Sequence, residues 1–146
     1  MFNKILLFLC FILPTTVFGQ EFSPHLKLSF NNGVETRFFS GTVIEADKNQ
    51  IVVVTCWHGT MGFARPSKVG GYLVTDHTDN HLSAKVTFDV IKTYPDHDIM
   101  LLGATNVLGL KIKTIPLAKD SLSPGAKCVS YGYVGIDSYI DRKSVV

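Results

Sequence analysis

Ile51-Val52-Val53-Val54-Thr55-Cys56-Trp57-His58-Gly59 is the stretch that decides the fold. Its first five residues are all β-branched. Such side chains lose rotamer freedom in a helix and pack well on a pleated surface. The run does not alternate with polar residues, which suits a strand buried on both faces. Asp47-Lys48-Asn49-Gln50 turns the chain just before it. After His58 the pattern lapses, and Gly59, Gly62, Pro66, Gly70 and Gly71 mark a loop. A histidine therefore stands where a buried strand gives way to a loop.

Strand signals continue in both directions. Upstream, His25 to Phe30 alternates with period two, Asn31-Asn32-Gly33 is a turn signal, and Arg37 to Ala46 is rich in Phe, Thr, Val and Ile. Gly41 inside that segment predicts a bulge or a close backbone approach. Downstream, Tyr72 to Thr75 reads as a strand and Asp76 to Asn80 as a polar turn. Leu82 to Tyr94 alternates, with Leu82, Ala84, Val86, Phe88 and Val90 on one face. Pro95-Asp96-His97 breaks it, and Ile99 to Leu102 is short and apolar. Lys111 to Leu117 reads as a further strand, Ser121 to Gly125 as a turn, and Cys128 to Tyr133 as strand again. No stretch of ten residues keeps a helical period, and no repeat is present. Short strands separated by turn signals predict an all-β barrel or sandwich.

The chain has 146 residues, 46% of them hydrophobic, enough to bury a core. A net charge of +2 with no run of like charges argues against a nucleic-acid or anionic-membrane partner. Residues 1–19 read as a signal peptide. Lys4 supplies a charge, Ile5 to Leu13 an apolar run, and Val17-Phe18-Gly19 a cleavage site before Gln20. The run is too short to span a bilayer, which takes roughly 20 residues. An uncleaved anchor and a lipid anchor at Cys10 are the alternatives. The expected location is outside the cell or in the periplasm, with no membrane contact after cleavage. Cys56 and Cys128 then remain in an oxidising compartment, where one bridge between them is open.

A second motif, Asp96-His97-Asp98-Ile99-Met100-Leu101-Leu102, places a carboxylate at the start of an apolar strand. With Thr55-Cys56-Trp57-His58 it resembles the trypsin/chymotrypsin-like serine proteases. There, Thr-Ala-Ala-His carries the catalytic histidine and Asp-Ile-Ala-Leu-Leu the aspartate. Phe38-Phe39-Ser40-Gly41-Thr42-Val43-Ile44 resembles the family's Phe-Cys-Gly-Gly-Ser-Leu-Ile strand. Ser123-Pro124-Gly125-Ala126-Lys127-Cys128-Val129-Ser130-Tyr131-Gly132-Tyr133 resembles the segment that opens its second barrel. The resemblance implies a six-stranded Greek-key barrel of the chymotrypsin type over residues 20–120. Residues 121–146 would be a linker and the start of a second barrel, otherwise missing.

It further implies a serine endopeptidase acting on protein or peptide substrates by acyl transfer, with no cofactor. His58 would be general base and then acid, because imidazole takes and returns protons near neutrality. Asp98 would orient it, with Asp96 as the alternative carboxylate. The chain departs from the family in three ways. Trp57 takes an alanine's place, where core packing is its expected role. The start Gln20-Glu21-Phe22-Ser23 lacks Ile-Val-Gly-Gly, which argues against zymogen activation of the digestive type. Gly-Asp-Ser-Gly-Gly, with its nucleophile and oxyanion-hole donors, does not occur. Ser121, Ser123, Ser130, Ser138 and Ser144 lie in no glycine-rich loop that could replace it. The fragment is therefore expected to be inactive, its nucleophile, Ser or Cys, lying outside it. A secreted pseudoprotease acting as a binding module is the alternative. Metal binding by His77 and His81, and a Cys56–His58 catalytic pair, are weaker readings. The first lacks a helix to align the imidazoles, and the second lacks a matching family role.

Overall fold

The computed structural model describes residues 19–60, 68–76, 82–134 and 138–145. Residues 1–18 of the expected signal peptide 1–19, and His77 and His81, lie outside them. The strands are β1 (Glu21–Phe22), β2 (His25–Asn31), β3 (Thr36–Ala46), β4 (Gln50–Cys56), β5 (Lys68–Val74), β6 (Ser83–Tyr94), β7 (Ile99–Thr105), β8 (Lys111–Ile112), β9 (Lys127–Val134) and β10 (Ser138–Val145). Short 3-10 turns follow β4, at Trp57–Thr60, and β6, at Pro95–His97.

Six strands close into an antiparallel barrel in the order β2-β3-β4-β7-β6-β5. Consecutive strands β2, β3 and β4 are neighbours. The chain then crosses over to β5, beside β2, and returns through β6 to β7, beside β4. This is the expected Greek-key barrel. Period two sends alternate residues inward. Leu26 and Leu28 of β2, Val43 of β3, Val53 of β4, Val69 and Leu73 of β5, Phe88 of β6, and Met100 and Leu102 of β7 are all fully buried. β4 is apolar outside as well, where Val52 and Val54 are half-buried.

Two expectations change and a third is narrowed. Gly70 and Gly71, read as loop, lie inside β5, which starts at Lys68 rather than Tyr72. The barrel needs both glycines for space. A Cβ on Gly71 would lie 2.5 Å from the Phe88 ring, and one on Gly70 would lie 2.8 Å from the Ser29 hydroxyl. The strand expected over 111–117 shrinks to Lys111–Ile112, paired in parallel with β1. Beyond it the segment forms no ladder and is held by isolated contacts: Lys113 N–H to Phe22 O and Ile115 N–H to Val43 O, both 2.9 Å, and Lys113 Nζ beside Glu21 Oε2 at 3.7 Å. Pro116 has no donor with which to extend a ladder. Finally, Gly41 is a close approach and not a bulge. Its Cβ would meet Leu28 and Val53 at 2.7 and 2.8 Å, whereas the register shift falls between Val43 and Glu45.

Asn106 ties the turns at the far end of the barrel together. Its Nδ2 donates to Asp47 O (2.8 Å) and Leu110 O (2.9 Å), and its Oδ1 accepts from Leu110 N–H (2.8 Å). Asn106→Ala would leave those buried main-chain groups unpaired. We expect a loss of about 1–3 kcal/mol of stability, measurable as a lower urea midpoint at unchanged slope.

The β9–β10 hairpin forms a separate two-stranded sheet. It contacts the outside of the barrel where Tyr131 stacks on His25, ring centroids 4.8 Å apart, and where Tyr133 N–H donates to Ser40 Oγ at 2.7 Å. Burial pushes the Tyr133 hydroxyl up to about 12. The bridge open to Cys56 and Cys128 is not formed, and both thiols are free.

Candidate active site

The end of β4 is held at several points. The Thr55 hydroxyl donates to Ser40 O of β3 at 2.6 Å. Trp57 N–H donates to Asp98 O at 3.2 Å. The hydroxyl of fully buried Thr60 donates back to Trp57 O at 2.9 Å, closing the 3-10 turn. Trp57 packs against the core, the role expected of it, although its buried Nε1 has no partner among the described residues. Gly59 is buried beneath the ring of Phe39, where a Cβ would come within 2.7 Å of two ring carbons.

Asp98 follows the turn Pro95–His97 and opens β7. Its backbone is left-handed, φ 53° and ψ 41°, and its N–H donates to Pro95 O at 3.1 Å. Among the described residues it is the one non-glycine with positive φ. Aspartate is one of the few side chains that tolerate this conformation.

The structure brings His58 and Asp98 together and joins them twice. His58 main-chain N–H donates to Asp98 Oδ1 at 2.8 Å, and His58 Nδ1 lies 2.5 Å from Oδ2. A carboxylate only accepts, so the proton of the neutral ring sits on Nδ1 and Nε2 keeps its lone pair. Asp96, the alternative carboxylate, makes no such contact; it lies one turn back, within Pro95–His97. Cys56 ends β4 opposite Ile99, and no bond joins it to His58 among the described residues.

These bonds hold the Asp98 carboxyl below its ordinary value of 3.8, the His58 main-chain N–H contributing most and the side-chain bond next. A depressed folded value stabilises the protein above the unfolded value, near ~3.9, and the benefit goes as pH falls through the folded one. We expect the stability difference between the wild type and Asp98→Asn to hold at pH 6 and to vanish only well below pH ~3.9. Urea midpoints of both proteins between pH ~2 and ~6 check this.

The His58 side chain is 74% exposed and that of Asp98 47%. The pair stands on the barrel rim. The larger described cavity, 310 Å³, lies at the other end of the barrel beside Ile51, Ala104 and Asn106, with no contact to the pair. Among the described residues no group of three or more His, Cys, Asp or Glu side chains gathers to hold a metal. None of the helical turns described is long and apolar enough to cross a membrane.

Similar structures share this barrel. The MamO protease domain from Magnetospirillum magneticum in its apo form matches with a TM-score of 0.58 and 18% identity, over 84% of this chain and 59% of its own length. Deg5 matches with a TM-score of 0.63 and 17% identity, over 84% and 57%. Kallikrein-related peptidase 10 in complex with Zn2+ gives 0.52 and 17%, over 84% and 56%. This is a chymotrypsin-like barrel. The chain spans somewhat under three fifths of each of these structures. No family model and no curated protein matches it, so the likeness is one of fold.

Sequence reasoning missed Phe39 and Gly59 as parts of the site. Phe39 drew notice only as a strand residue. Gly59 was available as a signal, because a glycine directly after a candidate catalytic residue often marks a close approach.

Proposed function

We propose that this chain carries the histidine–aspartate part of a secreted serine endopeptidase that cleaves protein or peptide substrates. The two hydrogen bonds between His58 and Asp98 are the observation that supports it most. One bond fixes the backbone of the histidine and the other fixes its tautomer, so Nε2 faces solvent with its lone pair available. In the proposed mechanism Nε2 takes the proton from a hydroxyl nucleophile as it attacks the scissile carbonyl. The imidazolium formed is stabilised by the Asp98 carboxylate, and its proton passes to the leaving amine as the acyl-enzyme forms. The nucleophile and the oxyanion donors belong to sequence beyond residues 1–146, so the chain by itself has no turnover. Residues 1–19 direct export, residues 20–120 form the barrel, and residues 121–146 lead into the second one.

The test begins with the coding sequence that follows Val146. We expect a Gly-x-Ser-Gly motif about 60–100 residues further on, the size of a second small β-domain. The extended protein should hydrolyse a denatured protein substrate, and a serine-directed phosphonate should label it. His58→Ala should abolish both. A folded extended protein that carries the motif yet neither cleaves nor takes up the reagent would overturn the proposal. A stop codon at this point would favour a binding module instead, in keeping with the open exposure of the pair.

A further inference from the structure

We infer that Phe39 is a positioning residue for His58, acting through Gly59; the inference rests on the catalytic reading of the His58–Asp98 pair. The imidazole is three-quarters exposed, so little side-chain packing restrains it. Its place in space follows from the backbone of the turn Trp57–Thr60 and from the carboxylate it meets. Besides the bonds made by Trp57 N–H and the Thr60 hydroxyl, that backbone meets the ring of Phe39. The Phe39 ring lies flat against Gly59, with Cγ and Cδ2 each 2.7 Å and Cδ1 3.0 Å from where a Cβ would stand. Three ring atoms at nearly equal distance describe a face and not an edge.

Phe39 is itself fixed. It sits on β3 opposite Leu28, packs against the core, and is followed by Ser40, whose carbonyl takes the Thr55 hydroxyl. Two consecutive residues of β3 therefore grip the histidine turn, Ser40 at its entry and Phe39 beneath its centre. Loss of the ring would open a void under Gly59. The turn could then settle, drawing His58 N–H and Nδ1 away from Asp98. A displacement of a fraction of an ångström is enough to weaken both bonds, because hydrogen bonds depend steeply on distance and angle. Catalytic geometry tolerates errors of the same small size.

The experiment uses the chain as it stands and needs no proteolysis. Phe39→Ala, Phe39→Leu, Gly59→Ala and Ile51→Ala are compared by NMR. The two readouts are the carboxyl titration of Asp98 and the low-field Nδ1 proton of His58, with amide exchange across the barrel as the check of fold. Phe39→Ala should raise the Asp98 midpoint toward its ordinary range and abolish the Nδ1 signal. Phe39→Leu should fall between it and the wild type. Gly59→Ala disturbs the same contact from the other side and should shift both readouts in the same direction. Ile51→Ala removes buried volume at the other end of the barrel and should lower stability while leaving both readouts in place. The inference fails if folded Phe39→Ala keeps both signals. It also fails if Ile51→Ala disturbs them equally, which would make the effect one of general loosening. Should Phe39→Ala not fold, Phe39→Leu and Gly59→Ala decide in the same way. An extended protein without hydrolytic activity would end the protease reading and leave these measurements standing.

Discussion

Asp98→Asn is expected to leave the barrel folded and, under the proposed function, to lower kcat/KM of the extended protein about 10⁴-fold. Asparagine tolerates the left-handed backbone that Asp98 adopts, and its carbonyl oxygen can still accept the His58 main-chain N–H. The loss arises at the second bond. The amide nitrogen would face Nδ1 with a donor, so Nδ1 must accept and the ring proton moves to Nε2. The nitrogen that should receive the nucleophile's proton is then already protonated. Nitrogen NMR of this chain checks the tautomer directly, and the rate follows in the extended protein. A variant that keeps the proton on Nδ1 would refute this account of what Asp98 does.

The second large effect concerns the core. Phe88→Ala should cost about 3–5 kcal/mol, since the ring is fully buried and little around it can collapse. Gly71→Ala alone should cost about 1–3 kcal/mol, because its new methyl meets that same ring. Together they should cost less than their sum by about 1–2 kcal/mol, as the methyl enters space the ring has left. Denaturant midpoints of the four proteins form the cycle. Strict additivity would mean that the two residues do not compete for one volume.

That pair also explains what was legible beforehand. Strands β2, β3, β4, β6 and β7 announce themselves through alternation or β-branching, which leaves barrel and sandwich both open; the family resemblance points to the barrel. The first half of β5 does not, because the glycines that make room for Phe88 and Ser29 are the residues that usually signal a turn. Strand β1 is two residues long and leaves no pattern, while β8 keeps only the first two residues of the strand expected over 111–117. At the site, His58 and Asp98 were legible because each sits at a strand end, a feature visible in one dimension. Of the two carboxylates weighed, Asp98 is the one in contact with His58. The Phe39–Gly59 contact joins residues 20 apart on different elements and has no local signature.

Under the proposed function, this protein must survive the company of its own copies. Cleavage needs a substrate segment drawn out and threaded through a cleft, and most sheets offer one at their margin. The β2-β3-β4-β7-β6-β5 ring has no margin. To lift any one strand away, the ladders on both its sides must rupture together. Self-digestion of this domain should therefore begin in the connections, with the ring the last part to be degraded.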